Sequence, residues 1–214
     1  LRALRFRNIT NAVEKKYDLP QNLLLAMVIH ETGGIPALPN AANDGGIGLI
    51  HMQSNTARIF GLTTYKNCNR LICKKHGLEL KRLIKDNNAD LRTLYQYDDR
   101  FHPILNIDAA ARMLTYYKLG KQVKSTPLST AVYRYAGRKK YREYWEKIMR
   151  YRAFLNSKKT LDKLNNRFNM KNKNLLIGGI KADFDAYIKY YHLQNFNYGL
   201  TYYINNHQVN FSMH

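Results

Sequence analysis

The sequence predicts a mainly α-helical protein with a small α+β appendage at its C-terminal end. Apolar residues recur at helical spacing through most of residues 1–155, and Gly and Pro stand at the ends of those segments. After residue 157 the composition shifts toward Lys, Asn and Tyr. In that tail, residues 183–191 predict a helix and residues 198–211 a small hairpin. We therefore expect a helical domain over residues 1–155 and an accessory segment of unknown role over residues 156–214.

Two helices are predicted near the start of the chain. The first covers residues 8–17 and is amphipathic. The second begins at Asp18-Leu19-Pro20, a cap residue followed by a proline in the first turn, and ends at Gly33-Gly34. Its residues 23–29 are apolar on every side, so we expect this helix to be buried on most sides.

Further helices are predicted at residues 54–60, 104–119, 128–135 and 141–154. Residues 63–100 are polar and basic, with a helical patch at residues 78–84. We interpret residues 63–100 as an insertion that lies on the surface.

The charge of the chain is strongly positive, with 35 Lys and Arg against 15 Asp and Glu, a formal net charge of +20. Such a surface attracts polyanions, which include nucleic acids, anionic lipids and acidic cell-wall polymers. A solvated, Lys-rich surface with no anionic partner is an equally simple reading. Charge alone therefore selects no partner. No apolar run is long enough to span a bilayer.

The cysteines, Cys68 and Cys73, are five positions apart in a polar segment. They are consistent with a short-loop disulfide in an oxidising compartment, with a metal site that recruits His76, or with two unrelated thiols. The spacing matches no standard zinc pattern. We expect no metal and no cofactor.

Glu31 is the candidate catalytic residue. It lies in the last turn of the apolar second helix, with Met27, Val28 and Leu24 one and two turns back near the same face. A carboxyl group among apolar neighbours is poorly solvated as an anion and is expected to retain its proton. A protonated Glu can donate to a leaving oxygen, as glycosidic cleavage requires. The alternative is a Glu that ends a helix and points into water.

Four segments occur in a fixed order along residues 20–150. They are HETGGIP at residues 30–36, GGIGLIHMQSNTA at 45–57, DRFHPILNIDAAARML at 99–114 and AVYRYAG at 131–137. Together these segments resemble the soluble lytic transglycosylases and goose-type lysozymes. That family has a Glu-Ser-x-Gly helix end, a Gly-Leu-Met-Gln segment that leads into a Thr-Ala helix, an Asn-Ile helix with Ala-Ala, and Ala-Tyr-Asn-Ala-Gly.

The resemblance implies a lysozyme-like α-helical domain that cleaves peptidoglycan between N-acetylmuramic acid and N-acetylglucosamine. Glu31 matches the sole catalytic acid of the family. It would protonate the glycosidic oxygen and then act as a base toward the 6-hydroxyl of the muramyl residue, which gives a 1,6-anhydro sugar. Substrate contacts are predicted at the matched positions Thr32, Gly48, His51, Gln53, Tyr133 and Tyr135.

Several matched positions depart from the family pattern. Thr32 replaces Ser and keeps a hydroxyl, and His51 stands at the Gln of Gly-Leu-Met-Gln. If residues 47–53 are extended, His51 and Gln53 share a face and either could bind the substrate. Tyr135 fits the last motif better than Tyr133, and both remain candidates for orienting Glu31 or lining a cleft.

A second carboxylate near the acid would indicate a hydrolytic muramidase. Asp44 is the only acidic residue close after Glu31, and Asp44-Gly45 is a common turn dipeptide. The sequence therefore favours transglycosylation. A basic helical protein that binds nucleic acid is a second alternative, although no helix-turn-helix or zinc-finger pattern is present. A wall-binding protein without activity is a third.

The transglycosylase hypothesis places the chain in the periplasm or cell envelope of a bacterium. Its partner would be the glycan strand of peptidoglycan, together with a secretion or envelope machine, and no nucleic acid. The chain begins at Leu1 without an initiator Met, so we expect that a leader or an anchor has been removed.

Overall fold

Helices make up most of the chain that the computed structural model describes, which is residues 2–66, 74–119, 128–136 and 141–157. The side chains of residues 117–119, 133, 134, 136 and 141 are outside that description. No strand occurs within these ranges, where an isolated antiparallel bridge joins Ile47 to Met52. The predicted mainly α class is confirmed. The expected α+β appendage, with its helix at 183–191 and hairpin at 198–211, lies outside the described residues.

The described helices are α1 (Arg7–Lys16), α2 (Leu23–Thr32), α3 (Ser54–Ile59), α4 (Lys74–Asp86), α5 (Leu91–Tyr97), α6 (Pro103–Leu119), α7 (Leu128–Ala136) and α8 (Tyr141–Asn156). Short 3-10 turns lie at Arg2–Phe6 and Asp99–Phe101. The predicted limits of α1, α3, α6, α7 and α8 agree with these bounds to within two residues. Among the described helices, none is both long and apolar enough to cross a membrane.

Helix α2 is the buried centre of the fold. Its residues from Leu23 to Val28 have no exposed surface, as its all-round apolar pattern predicts. Helices α1 and α8 and the 3-10 turn at Arg2–Phe6 pack around it. It ends at Gly33, whose φ of 59° is the left-handed conformation that glycine adopts without strain. The predicted end of this helix is therefore confirmed.

The start of α2 differs from the prediction. The helix begins at Leu23, and neither Asp18 nor Pro20 starts it. Its first N–H groups are satisfied by Glu14 from α1, whose carboxyl oxygens accept from the N–H of Asn22 at 2.7 Å and from that of Leu24 at 2.6 Å. The cap comes from another helix, so no local pattern marks the position.

Residues 63–100 contribute to the core as well as to the surface. Leu80 and Leu83 of α4, Leu94 of α5 and Phe101 form an apolar cluster with Ile47. The outer face of α4 is basic and exposed, with Lys74, Lys75, Lys81, Arg82 and Lys85. The interpretation as a surface insertion therefore describes only the outer face of this segment.

Helix α6 packs against both α1 and α7. Its Asp108 accepts hydrogen bonds from Lys16 at 2.5 Å and from the Tyr17 hydroxyl at 3.1 Å, and it pairs with Arg112 one turn along at 3.0 Å. These side-chain contacts join α6 to the C-terminal end of α1.

Because Glu14 is buried, the free energy of unfolding should depend on pH. Burial raises the pKa of Glu14 from its ordinary 4.5 to about 7, although the N–H groups of Leu24 and Asn22 act in the opposite direction. The folded protein therefore holds a proton that the unfolded chain releases between pH 4.5 and 7. The free energy of unfolding should fall as pH rises through this window, by about 3 kcal/mol at most. Urea denaturation at pH 5 and pH 7.5 measures it.

The Glu14→Gln variant lacks this titration and should lose less stability between the two pH values than the wild type loses. Glu143→Gln is a matched control, because Glu143 lies exposed on α8. An equal pH-dependent loss in wild type and Glu14→Gln would show that Glu14 is not the group that titrates.

Candidate active site

Glu31 lies in the last turn of α2, and both of its carboxyl oxygens contact other side chains. The Tyr144 hydroxyl of α8 donates to Oε1 at 2.7 Å, and Nδ1 of His51 lies 3.2 Å from Oε2. The Glu31 side chain is 15% exposed. The carboxyl group is therefore fixed in orientation and shielded on most sides, and part of it stays in reach of a ligand.

His51 is held by its other ring nitrogen. Nε2 lies 2.9 Å from the carbonyl oxygen of Leu38. A carbonyl oxygen only accepts, so Nε2 carries the hydrogen and Nδ1 is the nitrogen that faces Glu31. The ring is 10% exposed. The sequence predicts a substrate contact at His51, and the structure places this side chain against Glu31.

A tight turn presents His51. Ile47 and Met52 exchange backbone hydrogen bonds of 3.4 and 3.1 Å, and the residues between them form the turn. The segment is therefore not extended, and His51 and Gln53 do not share the face of a strand. Gln53 is half-buried and immediately precedes α3. The two residues are two positions apart in sequence, and the described contacts of His51 do not include Gln53.

Arg100 anchors the backbone just before this turn and at its end. It has no exposed surface, and its Nη1 donates to the carbonyl oxygens of Gly45 at 2.8 Å and Met52 at 2.9 Å. Its Nε and Nη2 form a paired contact with Asp98 at 2.9 and 2.7 Å, and Nη2 also lies 3.0 Å from Nε2 of His76. All five guanidinium N–H donors are thus used. This network fixes the backbone on which His51 stands.

Gly48 has a packing role in the turn. Its φ is +92°, and a Cβ atom there would lie 2.2 Å from Nδ2 of Asn106 and 2.4 Å from the carbonyl oxygen of Arg100. Asn106 in turn accepts the N–H of Ile50 through Oδ1 at 2.8 Å. Gly48 is buried, so the structure places it behind the turn, against α6.

Thr32 also lies inside the protein. It is 4% exposed, and its hydroxyl donates to the carbonyl oxygen of Leu49 at 2.9 Å. The same oxygen accepts the N–H of Gly34 at 3.3 Å. The hydroxyl predicted to contact substrate is therefore engaged in joining the end of α2 to the turn.

Tyr135 on α7 supports His51 from the backbone side. Its hydroxyl donates to the carbonyl oxygen of His51 at 2.6 Å. Burial, and then the charge of Glu31, raise the pKa of Tyr135, so the hydroxyl remains a donor. Tyr135 thus orients His51 rather than Glu31. Tyr133 lies on the same helix, and its side chain is outside the described residues.

Tyr144 is the site residue that the sequence analysis missed. Burial and the neighbouring charge of Glu31 raise its pKa, which keeps its hydroxyl protonated as a donor. Its ring meets that of His30 edge-on, with 4.9 Å between centroids. Helix α8 carries several aromatic residues, and only its packing against α2 shows which one reaches the acid.

No second acid contacts Glu31 among the described residues. Asp44 is engaged within its own loop, where Oδ2 accepts from Asn40 at 3.0 Å and Oδ1 accepts the N–H of Gly46 at 3.0 Å. This is the arrangement expected of a turn residue.

The described residues contain no cluster of His, Cys, Asp and Glu suited to a metal ion. The His76 nitrogen that faces Arg100 accepts a hydrogen bond, because a guanidinium group only donates. That nitrogen is therefore not open to a metal. Cys68 and Cys73, and so the predicted disulfide, lie outside the described residues.

Comparison of the chain with protein-family profiles, with curated proteins and with solved structures gives no match. The resemblance carried by the four ordered segments therefore stands on the residues of this chain alone.

Replacement of Arg100 should destabilise the fold strongly. Arg100→Met leaves the buried Asp98 carboxylate without its guanidinium partner and removes the guanidinium donor from the carbonyl groups of Gly45 and Met52. Loss of one partner of a buried ion pair costs about 3–5 kcal/mol, and urea denaturation measures that change. Arg142→Met is the control, because Arg142 pairs with Glu146 on the exposed face of α8 and should cost less than about 1 kcal/mol. Equal effects of the two changes would contradict the anchoring role.

Proposed function

We propose that this chain is a lytic transglycosylase, which cleaves the β-1,4 bond between N-acetylmuramic acid and N-acetylglucosamine in peptidoglycan. The observation that supports this function best is the setting of Glu31. Its carboxyl group ends an apolar helix, is largely shielded, and is oriented by Tyr144 and His51. An acid held in this way suits proton transfer to a leaving oxygen.

The reaction needs one acid that later acts as a base. Glu31 donates its proton to the glycosidic oxygen as the bond from that oxygen to C1 of the muramyl residue breaks. The 6-hydroxyl of the same residue attacks C1, and its proton passes to Glu31. The products are a 1,6-anhydro end and a free 4-hydroxyl, and Glu31 is protonated again. The nucleophile belongs to the substrate, so the attack is intramolecular.

The engagement of both Asp44 oxygens within their own loop supports this reaction over hydrolysis. A retaining hydrolase places its carboxylates about 5–5.5 Å apart, and an inverting one about 6.5–9.5 Å apart with a water molecule between them. The nearest candidate in sequence, Asp44, has both oxygens bound within its loop.

The charge of the chain is consistent with this substrate. Peptidoglycan and the polymers attached to it carry carboxylates and phosphates, and the chain carries a net +20, with the exposed basic face of α4 as one part of it. The proposal places the protein in the periplasm or cell envelope, where an envelope or secretion machine would use local opening of the wall.

Digestion of purified sacculi tests the proposed function. The wild type should release muropeptides with 1,6-anhydro ends, identified by mass spectrometry. Glu31→Gln cannot donate the proton and should lower the rate by about 100-fold or more. Glu143→Gln removes an exposed carboxylate from α8 and should keep the wild-type rate.

Release of reducing ends by the wild type would replace transglycosylation with hydrolysis on the same acid. Full activity of Glu31→Gln would remove the acid from the mechanism. A folded wild type that cleaves no sacculus under any ionic strength would reject the proposed function.

The hydroxyl of Tyr144 should contribute to the rate through Glu31. Tyr144→Phe removes the 2.7 Å hydrogen bond to Oε1 and leaves the ring contact with His30 in place. A hydrogen bond to a charged group contributes about 1.5–3 kcal/mol, so kcat should fall by about 10- to 100-fold.

Tyr151→Phe is the matched control for this change, since Tyr151 lies two turns further along α8 and is 37% exposed. Its kcat should stay within about 2-fold of wild type. A similar loss in both variants would mean that α8 tolerates no change of tyrosine, rather than that Tyr144 orients the acid.

A further inference from the structure

The hydrogen bonds of His51 determine how many protons the pair Glu31–His51 holds. Nε2 donates to the carbonyl oxygen of Leu38, so one ring hydrogen is already assigned. In a neutral imidazole the other nitrogen, Nδ1, then has a lone pair and no hydrogen. That lone pair is directed at Oε2 of Glu31 over 3.2 Å.

An ionised carboxylate beside a bare Nδ1 would place two lone pairs opposite each other in a shielded site. Such a contact is repulsive, and a proton between the two atoms turns it into a hydrogen bond. The proton lies either on Nδ1, which gives an imidazolium and a carboxylate, or on Oε2, which gives a neutral ring and a carboxylic acid. Tyr144 donates to Oε1 in both cases.

We propose that Glu31 and His51 form a dyad that shares one proton, and that His51 is a positioning residue which keeps this proton at Glu31 until substrate arrives. The proposal rests on the function proposed above and deepens it. The position in question is the one at which the resembling family has Gln, a side chain that cannot take up a proton.

Two hydrogen bonds hold His51, one at its ring and one at its main-chain carbonyl. Leu38 holds Nε2, and the Tyr135 hydroxyl donates to the carbonyl oxygen of His51 at 2.6 Å. Arg100 fixes the end of the turn through the carbonyl oxygen of Met52. The ring cannot reverse its nitrogens without losing the bond to Leu38, so Nδ1 remains directed at the acid.

Few other groups near the dyad titrate close to neutrality. Burial lowers the pKa of His30, and Lys147 acts in the same direction, so the neutral ring is favoured. Asp44 is bound in its loop. Among the described residues, the ionisable groups near the dyad include His30 of α2, Asp44 of the 36–46 loop, Tyr135 of α7, and Tyr144 and Lys147 of α8.

The dyad can complete the cycle without a net change in His51. The glycosidic oxygen competes with Nδ1 for the proton on Oε2 and receives it as the bond to C1 breaks. The carboxylate that remains faces the lone pair of a neutral ring, which favours capture of the proton from the 6-hydroxyl. One proton leaves Glu31 and one returns, so the dyad ends in its starting state.

NMR of the imidazole nitrogens tests the dyad without any glycan. In ¹⁵N-labelled wild type, Nε2 of His51 should carry a hydrogen throughout pH 5–8, and the signals are assigned by their loss in His51→Asn. In Glu31→Gln the doubly protonated ring should give way to the neutral ring at a lower pH than in the wild type, because the carboxylate 3.2 Å from Nδ1 is gone. A neutral ring with its hydrogen on Nδ1, or an unchanged titration, would overturn the dyad.

Activity against pH tests its role in the reaction. The His51→Asn side chain can donate to Oε2 from near the position of Nδ1 but cannot take up a proton. Its activity should disappear on the alkaline side at a lower pH than that of the wild type, because the shared proton has lost its second site. Glu14 titrates near pH 7 in both proteins and cancels in the comparison.

An unchanged alkaline limit in folded His51→Asn would show that His51 only contributes a hydrogen bond. The two proposals fail separately. If the wild type releases no anhydro ends, the transglycosylase function is lost while the NMR titration still decides the dyad. If anhydro ends appear but the ring titrates independently of Glu31, the function stands and the dyad is rejected.

Discussion

The guanidinium group of Arg100 is the constraint on which the candidate site depends. It has no exposed surface, and its donors are divided between the Asp98 carboxylate, His76 and the carbonyl oxygens of Gly45 and Met52. Taking a charge out of water costs several kcal/mol unless every donor finds a partner. Here each donor does, so the backbone is held just before the 47–52 turn, at Gly45, and at its end, at Met52. The position of His51 follows from that turn.

The site is then assembled from parts of the chain that are distant in sequence. Helix α2 supplies Glu31 at the point where an apolar helix ends, and α8 supplies the hydroxyl that orients one carboxyl oxygen. The turn supplies His51 to the other oxygen, and α7 fixes the turn through Tyr135. The contacts made by Tyr144 and Tyr135 are hydrogen bonds in a shielded setting, where directional contacts are stronger than in water. The acid is thereby oriented before a ligand is present.

The parts of this structure that depend on local sequence patterns are predictable from the sequence. The apolar helix and its glycine end predict α2 and the placement of Glu31, and turn residues predict the behaviour of Asp44. The start of α2 is not predictable in this way, because its cap is Glu14 of another helix. The role of Tyr144 depends on how α8 packs against α2, and the burial of Arg100 depends on partners up to 55 positions away. These are tertiary contacts, which leave no periodic signal.

The distance in sequence between Glu31 and Tyr144 has a practical consequence for dissecting the protein. The Tyr144 hydroxyl lies 2.7 Å from Oε1 of Glu31, although the two residues are 113 positions apart in sequence. A shortened version that retains all four ordered segments but stops before α8 would still look complete by sequence inspection. It would expose the apolar surface of α2 that α8 covers and would leave the acid without its phenolic donor, so the smallest fragment worth producing must extend through Asn156.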